Sequence, residues 1–370
     1  MAEQSLDALV VTALPNILYL TNFSGSSGIV VVTANRLLFI TDFRYVSAMS
    51  ETRGTGHECP GLELVTVEST YDLTLADLLA GMPSARIGFE AANLSVARHR
   101  WLQTALGTRT TVPELVPTEG VVERARVRKD AYELMVLREA ARRLSGVASA
   151  MVADVRPGRT ERDVAMAIDW RIRDAGFERS AFETIVAAGP NAALPHARPG
   201  ERKLAEGDLV VLDFGGVYDS YCVDLTRTVA VGHASARARE VYGAVLKAHD
   251  LAIEAVKPGI SRFQIDGAAR ASLAGAGMAE AFGHGTGHGL GIEVHEEPRI
   301  SRRRPGVDAE GPEGPEGAVH DDLVAPGMVF TIEPGAYFPG WSGVRIEDDV
   351  LVTDTGVELL THVTTDLLEI

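Results

Sequence analysis

Hydrophobic positions change rhythm several times along the chain, and the rhythm predicts the elements. Leu9 to Val11 is a short β-branched run, while Gly28 to Val32 and Leu37 to Asp42 read as a hairpin turning near Ala34 and Asn35. Leu62 to Val67 and Arg86 to Phe89 are further strands, and Leu73 to Leu79 and Ser95 to Leu106 carry apolar residues at helical spacing. The first third is therefore expected to be an α/β domain. Around Val112 to Glu119 the pattern lapses into TVPELVPTEG, whose prolines and glycine predict a linker. The expected boundary falls near residue 120, giving domains 1–120 and 121–370.

Beyond it, Asp130 and Glu133 have capping-box spacing ahead of Leu134, Leu137, Ala141 and Leu144, which starts a long helix. The chain then partly repeats itself. Val155 to Gly176 aligns without a gap on Val256 to Gly277, each opening a helix after a Pro-Gly turn, with Thr160…Asp163 and Ser261…Gln264 as caps. EGDLVVLD, ending in Asp213, matches PGMVFTIE, ending in Glu333. Each predicts an apolar strand, a turn and a returning strand with a second acid, Asp224 in one copy and Glu347 in the other. The second domain thus reads as α+β with a duplicated helix-then-hairpin unit. Arg302 to Asp322, rich in Gly, Pro and charge, is expected to be a mobile surface insert.

Composition narrows the function. With 46% hydrophobic and 23% charged residues the chain has enough apolar material for two cores. A net charge of -16 opposes phosphate backbones and anionic lipid, so neither nucleic acid nor membrane is an expected partner. Two cysteines, Cys59 and Cys222, exclude a disulfide framework or thiolate cage. No run approaches the roughly 18 apolar residues of a span, and acids stand where a signal peptide carries bases, so the expected address is the cytoplasm.

Asp213, Asp224, Glu333 and Glu347 are expected to converge from the ends of facing strands. Four carboxylates buried together without cations would cost many kcal/mol or force protonation, so the arrangement calls for two divalent ions. FGHGTGHGLGIEVHEEP supplies His284, His288 and His295 among glycines that permit close approach, one of them expected to complete the metal shell. Such an oxygen-rich set suits manganese, iron or cobalt. A lone Asp at a strand end is more often a turn former; the repeat-related placement of four is what points to a site. GHGTGHG lacks the βαβ frame of a dinucleotide loop, and no HExxH is present. His233, His249 and His320 are expected to be surface or core residues, Cys222 a small buried one and the Arg302 to Arg304 run solvated.

The strings LDFGGVYDSYCVDLTRTVAVG, GHGTGHGLGIEVHEEPRIS, FTIEPGAY and GVRIEDDVLVT resemble the metal-site motifs of the Xaa-Pro peptidases, the family of prolidase and aminopeptidase P. YLTNFSGSSGIVVV and FITDFRY are similar to the amino-terminal domain of its small bacterial members. The resemblance implies a creatinase-like N-terminal domain and a pita-bread catalytic domain with pseudo-twofold symmetry. It makes Asp213, Asp224, His288, Glu333 and Glu347 the dinuclear ligands. His196 and His295 resemble the pair that stabilises the reacting carbonyl, and His284 a residue nearer the substrate. Ala197 departs from the usual glycine after His196, and the insert is longer than the usual connection; both bear on substrate access.

The implied reaction is hydrolysis of the bond between an N-terminal residue and proline, with Glu333 carrying the proton to the leaving nitrogen. A dipeptidase needs a cation for the terminal carboxylate. Arg44 in TDFRY, Arg299 and the insert arginines are candidates, and Arg345 in GVRIEDD joins His284 and Arg44 as an expected substrate-binding residue. The expectation is a prolidase using two divalent ions, manganese first and cobalt, iron or zinc as alternatives, in a homodimer. Aminopeptidase P is the nearest alternative, followed by methionine aminopeptidase and metal-free creatinase. A non-catalytic protein-binding module is the alternative of a different class, and five intact ligand positions oppose it.

Overall fold

The computed structural model describes residues 1, 4–51, 55, 58–82, 85–108, 112–303 and 322–370. Most of the expected insert, with Arg304 and His320, lies outside these residues. The chain divides into two compact units, Met1–Arg126 and Val127–Ile370.

In the first unit β1 (Ala8–Val11), β2 (Ile29–Thr33), β3 (Leu37–Thr41), β4 (Leu62–Thr66), β5 (Arg86–Glu90) and β6 (Glu114–Thr118) form one mixed sheet in the order β4-β3-β2-β1-β5-β6. The expected hairpin is β2–β3, closed by Thr33 N–H on Arg36 O at 2.9 Å. The stretch expected as a linker is instead β6, paired in parallel with β5. It is an edge strand, where Pro117 can stand without a ladder N–H to give. Helices α1 (Leu14–Thr21), α2 (Phe43–Glu51), α3 (Tyr71–Ala80), α4 (Val96–Gly107) and α5 (Val121–Arg126) complete the unit. The sequence pattern does not announce α1 and α2. α2 fully buries only Met49 and leaves Phe43 78% exposed.

The second unit opens with α6 (Ala131–Met151), whose capping box is formed: Asp130 Oδ1 accepts Glu133 N–H at 3.0 Å and Glu133 Oε2 accepts Asp130 N–H at 2.8 Å. α7 (Glu161–Asp174), α8 (Ala236–Ala255) and α9 (Arg262–Gly275) follow. α7 and α9, the aligned repeat helices, are each 14 residues long and each carry a formed capping box. β7 (Arg179–Ser180), β8 (Ile185–Ala188), β9 (Leu209–Tyr218) and β10 (Tyr221–Ala230) make one sheet. β11 (Gly287–Gly289), β12 (Glu296–Ile300), β13 (Val329–Ile332), β16 (Asp348–Val352) and β17 (Val357–Leu359) make another, with the hairpin β14 (Gly335–Phe338)–β15 (Ser342–Arg345) beside it. Leu137, Leu144, Ile168 and Ile172 from α6 and α7 pack on Leu212, Phe214 and Leu225. Val241, Val245, Ile265 and Leu273 from α8 and α9 pack on Phe330, Ile332 and Val350. Each half of the repeat thus seats its helices on its own sheet, at roughly 1.5–3 kcal/mol per buried aliphatic side chain.

Candidate active site

Asp213 and Asp224 do not stand at strand ends. They lie inside the ten-residue strands β9 and β10, where Asp213 faces Thr226 and Asp224 faces Gly215. Both strands are buried along nearly their whole length, so the ladder runs on past the acids. It closes at Asp219 and Ser220, whose φ values of 46° and 68° build the tight two-residue turn that matches strand twist.

The second half delivers its acids differently. Glu333 follows the last residue of β13, with its N–H on Thr286 O at 2.7 Å, and Glu347 sits between β15 and β16, with its N–H on Thr226 O at 3.1 Å. His288 rides on β11, between two glycines that have no room for a side chain. A Cβ at Gly287 would lie 1.8 Å from Thr331 O, and one at Gly289 2.2 Å from Glu297 O.

These elements bring Asp224, His288 and Glu347 together, with ligating atoms all within 4.8 Å of one another. His288 Nε2 is 3.9 Å from Asp224 Oδ2 and 3.6 Å from Glu333 Oε1. The donor set fits a divalent cation. Asp224 Oδ1 is buried without a hydrogen-bond partner. His288 Nδ1 lies 3.2 Å from Gly289 O, so its proton has a carbonyl to face and the Nε2 lone pair is left for an ion. Asp213 Oδ2 accepts a hydrogen bond from Arg345 Nη2.

Electrostatics agree. Burial, reinforced by Glu347 and Asp213, pushes the Asp224 carboxyl well above its ordinary range, and burial with Glu333 and Asp213 does the same to Glu347. Burial moves Glu333 up to about 7, with Arg345 opposing. Burial and His295 lower His288 to about 3, so its imidazole is neutral and free to coordinate. A cluster of acids that resists ionisation next to a neutral imidazole is a site completed by a cation.

A pocket of 730 Å³ opens over the cluster, and His196, His284, His295, Arg299 and Arg345 line it. The His288 and His295 rings meet edge to face at 4.3 Å between centroids. His284 Nδ1 faces Gly285 O at 2.7 Å, which leaves Nε2 to accept the Tyr337 hydroxyl at 2.9 Å. Burial and Arg345 lower His284 to about 4, consistent with that neutral form. Arg345 is 3% exposed, and besides Asp213 it donates to Tyr337 Oη at 2.8 Å, Thr226 Oγ1 at 3.2 Å and Pro195 O at 3.2 Å. Its guanidinium braces the site more than it faces a ligand. Arg44 lies in the first unit on α2 and pairs with Asp42 at 2.7 Å. Cys222 is buried, and burial pushes its thiol up to about 12, as suits a packing residue.

Two contributors escape the sequence reading. Tyr337, four residues beyond Glu333, joins His284 to Arg345. Glu161 is fully buried at the start of α7 and accepts Ala188 N–H at 2.8 Å, Gly200 N–H at 3.1 Å and Asn191 Nδ2 at 2.9 Å, bracketing the loop that carries His196. Its only sequence signal, an acid in a first helical turn, is the common mark of dipole complementarity.

Residues 136–354 match the metallopeptidase family M24, and residues 1–128 match the creatinase/prolidase N-terminal domain. The chain belongs to metallopeptidase family M24. It is a metal-dependent exopeptidase with a creatinase-type first domain and a pita-bread catalytic domain. It is 35% identical to the uncharacterized peptidase YqhT of Bacillus subtilis, over 99% of this chain and 96% of that one. Among solved structures, an Xaa-Pro dipeptidase from Bacillus anthracis is 34% identical with a TM-score of 0.90, covering 100% of this chain and 96% of that one. An X-Pro aminopeptidase from Thermotoga maritima is 31% identical with a TM-score of 0.85, covering 99% and 98%.

Proposed function

We propose that the chain is an Xaa-Pro dipeptidase, with Asp213, Asp224, His288, Glu333 and Glu347 holding two divalent ions, manganese first among them. The observation that carries this reading is the buried acid and imidazole cluster beneath a pocket walled by Arg299. The Arg299 side chain has no hydrogen-bond or ion-pair partner among the described residues, so a planar fork is free to meet a dipeptide's terminal carboxylate. Arg44, another candidate, donates to Asp42 from both Nε (2.9 Å) and Nη2 (2.7 Å). The likeness to the Bacillus anthracis dipeptidase supports the same choice.

When bound, the ions supply Lewis-acid polarisation of the scissile carbonyl and bring the pKa of a water towards about 7. The protein's own groups do the rest. Glu333 carries the water proton to the proline nitrogen, which cannot leave as an anion. His196 and His295 donate hydrogen bonds to the oxyanion as it develops. His284, oriented by Tyr337, borders the substrate from the pocket wall.

The two cysteines are free, which supports a cytoplasmic address, and no helix among the described residues is long and apolar enough to cross a membrane. The homodimer reading is supported by the family resemblance alone. The likeness to the Thermotoga maritima aminopeptidase favours a second reading, removal of one residue from longer Xaa-Pro peptides. Hydrolysis of Ala-Pro, Ala-Pro-Ala and Met-Ala-Ser by manganese-reconstituted protein, beside a chelated control, separates them. The dipeptidase reading expects metal-dependent cleavage of Ala-Pro well above Ala-Pro-Ala. The reverse order selects the aminopeptidase, and cleavage of Met-Ala-Ser alone rejects both.

A further inference from the structure

Strand β10 grips the second half of the site from both faces. Asp224, Thr226 and Thr228 alternate on the face towards the acids. Thr226 Oγ1 donates to Glu347 Oε2 at 2.6 Å, while Thr228 Oγ1 donates to Arg345 O at 2.9 Å and accepts Arg345 N–H at 3.1 Å. Arg227, between the two threonines, points the other way and is 4% exposed. Its Nε donates to Thr364 O at 2.9 Å. Nη1 donates to Thr226 O at 3.0 Å and Glu347 O at 2.6 Å, and Nη2 to Asp348 Oδ1 and Val363 O, both at 2.8 Å. A guanidinium has five N–H donors, and this one has none left over.

The segment it holds is fixed to the same strand pair. Thr361 Oγ1 donates to Asp348 Oδ1 at 2.6 Å and accepts Asp349 N–H at 3.2 Å, and Asp349 Oδ2 accepts Asp224 N–H at 3.1 Å. Further out, His362 N–H reaches Ser145 Oγ at 2.9 Å and the Tyr242 hydroxyl reaches Thr365 O at 2.8 Å. His249 Nε2 stands 3.1 Å from Asp348 Oδ2. Glu347 itself belongs to no strand, so the β ladder does not fix the direction of its carboxylate. Arg227 holds its main chain and Thr226 its side chain.

We propose that Arg227 is a positioning residue for the metal centre and that residues 361–365 are part of that centre's support, because Val363 and Thr364 anchor the guanidinium that fixes Glu347 and the residues around them tie the segment down. The proposal rests on the metal-site reading above. Arg227→Lys keeps the charge but replaces a planar five-donor fork with three donors at one point. The expected result is a folded protein that binds Mn(II) about 10- to 100-fold more weakly. The Ala-Pro turnover it loses at limiting Mn(II) should be largely restored at saturating metal. Arg138→Ala, which removes a half-exposed pair with Glu358 at 2.7 Å near the same segment, should leave metal affinity unchanged.

Hydrogen exchange on the unaltered full chain needs no variant. Adding Mn(II) should slow exchange of the backbone amides in 360–366. A folded Arg227→Lys protein with parental Mn(II) affinity overturns the proposal, as does exchange in 360–366 that ignores the metal; if the variant does not fold, the exchange result decides. A parent protein that binds no Mn(II) would instead overturn the metal-site reading itself.

Discussion

The two halves of the catalytic unit present the same number of acids by different means. The first half places Asp213 and Asp224 within a continuous ten-residue ladder, so short side chains on a rigid backbone suffice. The second half breaks its ladder with the β14–β15 hairpin and presents Glu333 and Glu347 from outside the strands. The longer side chains have more torsional freedom, and the surroundings restrain Glu347 through Thr226 and Arg227. Duplication therefore supplied a pair of acid positions twice, while the placement of Glu347 depends on bonds from the first half. Arg345, from the second half, returns the favour by holding Asp213.

Removing the proton carrier breaks the comparison most severely. Glu333→Ala takes from the second half both a proposed ligand and the proposed base, so steady-state turnover of Ala-Pro should fall at least about 10²–10⁴-fold even at saturating metal. A metal-replete mutant that remained active would show that the first half suffices. A middle-sized effect tests the pocket wall. Arg299→Ala leaves all five proposed ligands in place and removes a charge-assisted contact of about 1.5–3 kcal/mol, so kcat/KM for Ala-Pro should drop roughly 10- to 100-fold. Ala-Pro-Ala should drop less, and equal losses would remove the carboxylate role. The smallest effect is in pH.

Glu333, raised by burial to about 7, must shed its proton when a cation binds, whereas His288, lowered to about 3, has none to shed. Metal affinity measured by titration calorimetry should therefore rise with pH through about 7, where Glu333 loses its proton, with Asp224 and Glu347, also raised by burial, adding to the rise. In the metal-free protein the same carboxyl contributes stability that is full below its ordinary 4.5 and is lost as pH rises through about 7. Chelated protein should accordingly melt earlier at pH 8 than at pH 5.5 as far as this group decides, with added metal narrowing the gap.

The repeat and the acids were legible because each sits in a local pattern: an apolar strand ending in a carboxylate, or a cap followed by a helical period. Glycines around His288 signalled crowding, and Gly287 and Gly289 meet backbone at once if given a side chain. What the sequence hid depends on partners far along the chain. Arg227 acts on carbonyls at 347, 363 and 364, and Glu161 on amides at 188 and 200, distances over which periodicity carries nothing. β6 was hidden for a different reason, since its proline has a linker's composition and only the edge of a sheet makes it acceptable. The mid-strand acids were misplaced because a carboxylate in an apolar run looks like its end, unless a buried ion justifies it.

Both halves together are proposed to hold two ions. Anomalous diffraction at the manganese edge from crystals of the reconstituted protein tests it most directly. Two peaks among Asp213, Asp224, His288, Glu333 and Glu347 are the expected result. A single peak held by one half alone, or none at full manganese loading, would contradict it.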